Sequence, residues 1–143
     1  MDGLGSAAGI IAVLDLSAKV ASLCFQYSKA VKNAKSDIER LCGELDRLNT
    51  TLEGARQLLQ GPNGALLRTS QRLRDGLEGC SSQLAELQTK LEKKLGNSVT
   101  RKVVSRLGVY AKWPLESKDV DRIITTLARY RDTLSAALTV DQT

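Results

Sequence analysis

Residues 36–64 read SDIERLCGELDRLNTTLEGARQLLQGPNG, and the spacing within them decides what kind of chain this is. Ile38, Leu41, Leu45, Leu48, Leu52, Ala55 and Leu59 recur at alternating steps of three and four. With 3.6 residues to a turn, such a run lays a single apolar stripe along a helix. A strand would need alternation at every second position, and no segment of the chain sustains that. Ser36 reads as the N-cap, its hydroxyl suited to the first free amides, with Asp37 and Glu39 in the first turn where the helix dipole favours negative charge. Gly61-Pro62-Asn63-Gly64 is a strong stop signal.

The same rhythm continues on both sides. Leu73, Leu77, Cys80, Leu84, Leu87, Leu91 and Leu95 mark a third helix, expected from about Leu66 to Leu95 and ended by Gly96-Asn97. Gly76 and Gly79 weaken it by roughly 1 kcal/mol each relative to alanine. Residues 99–112 read as a shorter basic helix, with Val99, Val103, Val104, Leu107 and Tyr110 on one side, stopped by Trp113-Pro114. Trp113 reads as a packing anchor for that loop. The last helix starts at Ser117 or Asp119 and carries Val120, Ile123, Ile124, Leu127, Tyr130, Leu134 and Leu138.

The first helix, residues 4–33, differs. It has one stripe of Leu4, Ala8, Ile11, Leu14, Ala18, Ala21 and Phe25, and a second of Ile10, Val13, Val20, Cys24, Tyr27 and Val31. Apolar residues on two faces mean a helix at a bundle centre, or one made to bury something further. The fold class that follows is all-α: an antiparallel bundle of four long helices plus a short one, with left-handed, coiled-coil-like packing, in a single domain over residues 1–143.

Composition narrows the function. Histidine is absent, which removes the commonest general base and metal ligand. There is no Walker A sequence, GxGxxG or GxSxG. The acidic pairs Glu39 with Glu44 and Glu86 with Glu92 lie on leucine-striped helices and read as solvated faces. Cys24, Cys42 and Cys80 are few, odd in number and far apart, so they read as small buried hydrophobes in a reducing compartment, neither disulfide framework nor zinc site. The expectation is a protein that is not an enzyme and takes no cofactor, metal or small-molecule substrate. The net charge of +5 sits mainly in residues 99–143, with eight basic and five acidic side chains. No aromatic ladder or recognition motif accompanies them, so specific nucleic-acid binding is not expected. Asp2, Asp15 and Lys19 argue against a secretory signal and a conventional membrane span.

Three features in order resemble a known family: the opening Met1-Asp2-Gly3-Leu4 with the Ala/Gly/Ile-rich stretch 6–16; Tyr27-Ser28-Lys29-Ala30-Val31-Lys32-Asn33-Ala34 leading into Asp37-Ile38-Glu39-Arg40-Leu41; and Lys112-Trp113-Pro114-Leu115 followed by residues 121–138. Over essentially the whole chain this resembles the HeLo-like N-terminal domain of fungal STAND proteins, relatives of the NOD-like receptors. The resemblance implies a bundle similar to the four-helix domain of the necroptosis executioner, excised from a larger receptor. It implies a cytoplasmic effector of programmed cell death in heterokaryon incompatibility and innate immunity, which relocates to the plasma membrane. Receptor oligomerisation would bring copies together, and the first helix would disrupt the membrane.

By that analogy the inserting residues are Leu4, Ile10, Ile11, Val13, Leu14 and Leu16, with Lys19, Lys29, Lys32, Arg101, Lys102 and Arg106 as candidates for lipid headgroups. A helix buried at rest can serve this way if the released form binds lipid better. Asp15 disfavours deep insertion, because a charge at bilayer centre costs about 3 kcal/mol or more. The expected partners are thus a second copy and membrane lipid. The alternative is a non-toxic adaptor that recruits another helical-bundle protein through exposed leucines or Trp113.

Overall fold

The computed structural model describes residues 7–30, 35–62, 64, 70–95 and 113–140; the short basic helix expected at 99–112 lies outside them. Among the described residues there are four long helices and no strand: α1 (Ala7–Ala30), α2 (Lys35–Leu59), α3 (Gln71–Leu95) and α4 (Ser117–Val140).

Two helix starts differ from the sequence reading. Ser36 lies inside α2, one residue past its start at Lys35, and is not its cap. The described part of α3 begins at Gln71, later than the expected Leu66. There Ser70 is the cap: its Oγ accepts from the Leu73 amide at 3.1 Å, and its carbonyl accepts the first intrahelical bond from Arg74 at 3.2 Å. The start of α4 at Ser117 and the end of α2 before Gly61 fall where the sequence puts them.

The helices stand in a square in the order α1, α2, α4, α3, so each packs mainly on two neighbours, and α2 and α3, consecutive among these helices, stand across a diagonal from each other. Successive helices alternate in direction. The square nevertheless sets two parallel pairs side by side. Along α2 and α4, Asp37 meets Ser117, Arg40 meets Asp121 and Glu44 meets Arg131, so position rises together on both helices. Tyr27, late in α1, donates its hydroxyl to the Leu91 carbonyl, late in α3, at 2.7 Å.

The stripes turn inward as their spacing requires. Ile38, Leu41, Leu45, Leu48, Leu52, Ala55 and Leu59 of α2 are buried, as are Leu73, Leu77, Cys80, Leu84, Leu87 and Leu91 of α3. On α4, Val120, Ile123, Leu127 and Leu134 are buried, joined by Ala137, with Ile124, Tyr130 and Leu138 half-buried against them. Each large side chain so buried contributes roughly 1.5–3 kcal/mol. At one end Trp113 stands edge-on to Tyr27, ring centroids 5.1 Å apart, and fixes the entry to α4 as the anchor expected of it.

Gly76 and Gly79 have a packing reason that propensity hides. They face α4, and a Cβ on Gly76 would lie 2.8 Å from Leu134 Cδ2, while one on Gly79 would overlap the edge of the Tyr130 ring at Cε1. The two glycines let α3 and α4 approach closely.

Glu44 corrects the reading of solvated acidic faces. It is 2% exposed, and Arg131 of α4 holds it with Nε at 2.8 Å and Nη2 at 3.4 Å, with Arg47 Nε at 3.5 Å. The Glu44 carboxylate keeps the Arg131 guanidinium above its ordinary range. Glu39, Glu86 and Glu92 are exposed as expected.

Candidate functional site

α1 occupies a corner of the square, with α2 and α3 as its main neighbours. A corner helix needs only one buried stripe. That stripe is Ile10, Val13, Ser17, Val20, Cys24 and Tyr27, all fully buried. Ser17 fills the gap the sequence pattern left between Val13 and Val20, and its Oγ has no hydrogen-bond partner.

The opposite side repeats the same three-four rhythm: Ala8, Ile11, Asp15, Ala18, Ser22, Phe25 and Lys29, every one exposed. Ile11 is 42% exposed and Phe25 59%, and they are the exposed large hydrophobics among the described residues. α1 thus hides one apolar stripe and presents to water a second that mixes apolar, small and charged side chains. Leu14, Leu16, Ala21 and Leu23 lie between the two, half-buried against the core.

The six candidate inserting residues are therefore divided. Ile10 and Val13 are core, Leu14 and Leu16 are flank, Ile11 is on the open stripe, and Leu4 lies outside the described residues. Of the headgroup candidates, Lys19 and Lys29 are exposed on α1; Lys32, Arg101, Lys102 and Arg106 lie outside the described residues. Phe25 is absent from the candidate set, yet it lies on the Ile11 stripe, and following the three-four steps from Ile11 reaches it. Its ring carries the Lys29 ammonium 4.6 Å from its centroid, a cation–π contact. Among the described residues, the stripe leucines of α2 and α3 and Trp113, expected from sequence as adaptor contacts, are buried.

By length and composition, Ala8–Lys29 could cross a membrane, although a third of its most apolar window is buried in the bundle. Asp15 and Lys19 stand exposed one turn apart in the middle of it.

Where α1 meets α2, the Cys24 thiol contacts Cys42. Their hydrogen bond, then burial, holds Cys24 far above the usual thiol range. The same bond lowers Cys42 to about 7, against the opposing pull of burial, Asp46 and Glu39. Cys42 is only half-buried, so it is not the fully hidden residue the sequence implied. Cys80 is buried and pushed up to about 12 by desolvation, with Glu44 adding to it. Burial, then Cys24, likewise pushes Tyr27 up to about 12. Among the described residues no three Cys, Asp or Glu side chains gather as a metal site would require.

A family model described as pigment biosynthesis cluster protein PigL N-terminal matches residues 1–142. No curated protein matches the chain, and no solved structure does.

Proposed function

The chain belongs to the PigL N-terminal family, a fungal family, and from that premise we propose that it is a non-enzymatic effector domain acting by self-association and by contact of α1 with a membrane. In the finer form of this reading it is a HeLo-like domain. Its receptor would gather copies at the plasma membrane, and the membrane would be permeabilised to cause cell death. The observation that carries the reading is the open stripe of α1, with Ile11 and Phe25 exposed on it.

Two modes of membrane contact differ sharply in cost. Freeing α1 would expose Ile10, Val13, Val20, Cys24 and Tyr27, all fully buried, at roughly 1.5–3 kcal/mol for each of the larger ones. Only a ligand with matching preference for the released helix could drive that. Laying the intact bundle on a bilayer by its α1 stripe costs none of this. Ile11, Phe25, Ala8 and Ala18 would enter the interface, Lys19 and Lys29 would reach anionic headgroups for about 1 kcal/mol each, and Asp15 would stay at headgroup level. Surface docking is therefore the first step, and release of α1 follows only when copies are concentrated.

The test is dye leakage from vesicles of anionic phospholipid. The chain is expected to leak them, and Ile11→Asp is expected to abolish leakage while the circular dichroism spectrum and melting temperature stay near those of the parent. Leakage that survives deletion of residues 1–14 would overturn insertion by α1. The adaptor reading draws on the same stripe, offered to a helical partner. Self-association without flotation on lipid would favour it.

A further inference from the structure

We infer that the open stripe of α1 is self-complementary and takes α1 of a second copy, antiparallel, with Ala18 at the two-fold axis. The inference takes up the self-association half of the proposed function and gives it a surface; that surface is the one the membrane half uses, so dimer contact and docking of the same stripe on a bilayer exclude each other.

A two-fold contact uses one patch twice, so each residue must suit its mate across the axis. The α1 stripe meets that condition. Ile11 and Phe25 lie equidistant from Ala18, seven residues on either side. Centring the axis on Ala18 sets each Phe25 ring against Ile11 of the other copy, which covers both exposed hydrophobics at once. Between them the stripe holds Ala18 and Ser22, whose small side chains let two helix backbones approach closely.

Charge selects the direction. Antiparallel, Asp15 of one copy lies within two residues, about 3 Å along the axis, of Lys19 of the other, which is exposed at the edge of the stripe on the same side, and the pairing occurs twice. Parallel and in register, Asp15 would face Asp15 and Lys19 would face Lys19, two like-charge contacts in place of two attractive ones. The occupant is a second copy because an arbitrary helix would not satisfy Ile11, Phe25, Asp15 and Lys19 together, whereas this helix reversed does. A contact of one helix face falls below the area of standard stable complexes, so the dimer is weak and concentration-dependent.

Sedimentation equilibrium of the 143-residue chain in lipid-free, low-salt buffer tests this. A reversible monomer–dimer equilibrium is expected. Asp15→Lys and Lys19→Asp are each expected to weaken it about tenfold, since symmetry doubles every charge change, and the double swap to restore it. Phe25→Ser, at a position already open to water, should leave the fold and remove the dimer. A chain that stays monomeric at high concentration, a double swap weaker than either single change, or a Phe25→Ser dimer as tight as the parent's would each overturn the proposal. Vesicle leakage separates it from the membrane reading: dimers that never leak vesicles support this contact alone, and leakage by a strict monomer sinks it alone.

Discussion

Replacing Arg131 with methionine should expose how much the bundle depends on the α2–α4 ion pair. Glu44 is 2% exposed and the Arg131 side chain 25%, so the carboxylate is almost wholly out of water. Arg131 makes two contacts, 2.8 and 3.4 Å, and Arg47 a third at 3.5 Å from a side chain 57% exposed. Methionine would keep much of the Arg131 stem's packing but leave the carboxylate with Arg47 alone. Orphaning one partner of a buried pair costs about 3–5 kcal/mol, and Arg47 places this case at the low end, about 3 kcal/mol. For a chain of this length that is a fall in Tm of about 6–12 °C. Urea unfolding followed by circular dichroism reads the same loss as a lower midpoint with an unchanged slope. The pair as a whole contributes much less than either single change implies, because two desolvation costs oppose it. Glu44→Leu together with Arg131→Met should therefore sit within about 1 kcal/mol of the parent. If the double variant loses the sum of the two single losses, Glu44 and Arg131 are not energetically coupled and the reasoning fails.

Other changes test other parts of the account. Gly79→Ala gains about 1 kcal/mol in helix propensity but drives a methyl group into the Tyr130 ring. The overlap outweighs the gain, for a net loss of about 2 kcal/mol that Tyr130→Ala partly recovers; a stabilised Gly79→Ala in thermal melts would contradict the close α3–α4 approach. Ser17→Ala removes a buried hydroxyl without a partner and should raise stability by about 1 kcal/mol in urea titration, with a loss arguing that the hydroxyl is satisfied. The Cys24 thiol holds its neighbour Cys42 below the ordinary thiol value, at about 7, so more of it is thiolate at neutral pH. Its alkylation at pH 7 should run about five-fold faster than that of an unperturbed thiol, once the lower nucleophilicity of the weaker base is included. Cys24→Ala should move the midpoint of the pH profile upward, and an unmoved midpoint would show that Cys24 is not the cause.

The sequence made α2 and α3 legible because each carries one stripe. Ile38 to Leu59 and Leu73 to Leu91 can be satisfied in only one orientation, and all of them are buried. α1 was half legible. Two apolar stripes were visible, but periodicity carries no information about which one a neighbour will cover, so Ile10, Val13 and Ile11 fell into one candidate set although the fold separates them. Ser17 was overlooked as core because a polar residue breaks the pattern it completes. Gly76, Gly79 and Glu44 were misjudged for a shared reason. Local rules price a glycine by its entropy and a carboxylate by its hydration, whereas Tyr130, Leu134 and Arg131, more than 50 residues away, decide both. Ser70 had a usable signal: a serine three residues ahead of Leu73, where the stripe begins. The open stripe itself was visible in Ala8, Ile11, Ala18 and Phe25, part of one of the two apolar stripes of the first helix.

The square order has a consequence for how the molecule comes apart. α1 and α4 sit at opposite ends of one diagonal, and the most specific fastenings described here, the glycine seam with Tyr130 and Leu134 and the Glu44–Arg131 tie, all belong to α4. Among the described contacts, α1 is held by its greasy inner stripe, the Tyr27 hydroxyl on Leu91 and a pair of thiols. Peeling it away would leave the α4 ties in place but bare to water the side of the core that α1 covers. The chain is thus lopsided by construction: the corner that carries the open stripe is held mainly by apolar burial, while the corner diagonal to it is held by specific ties as well.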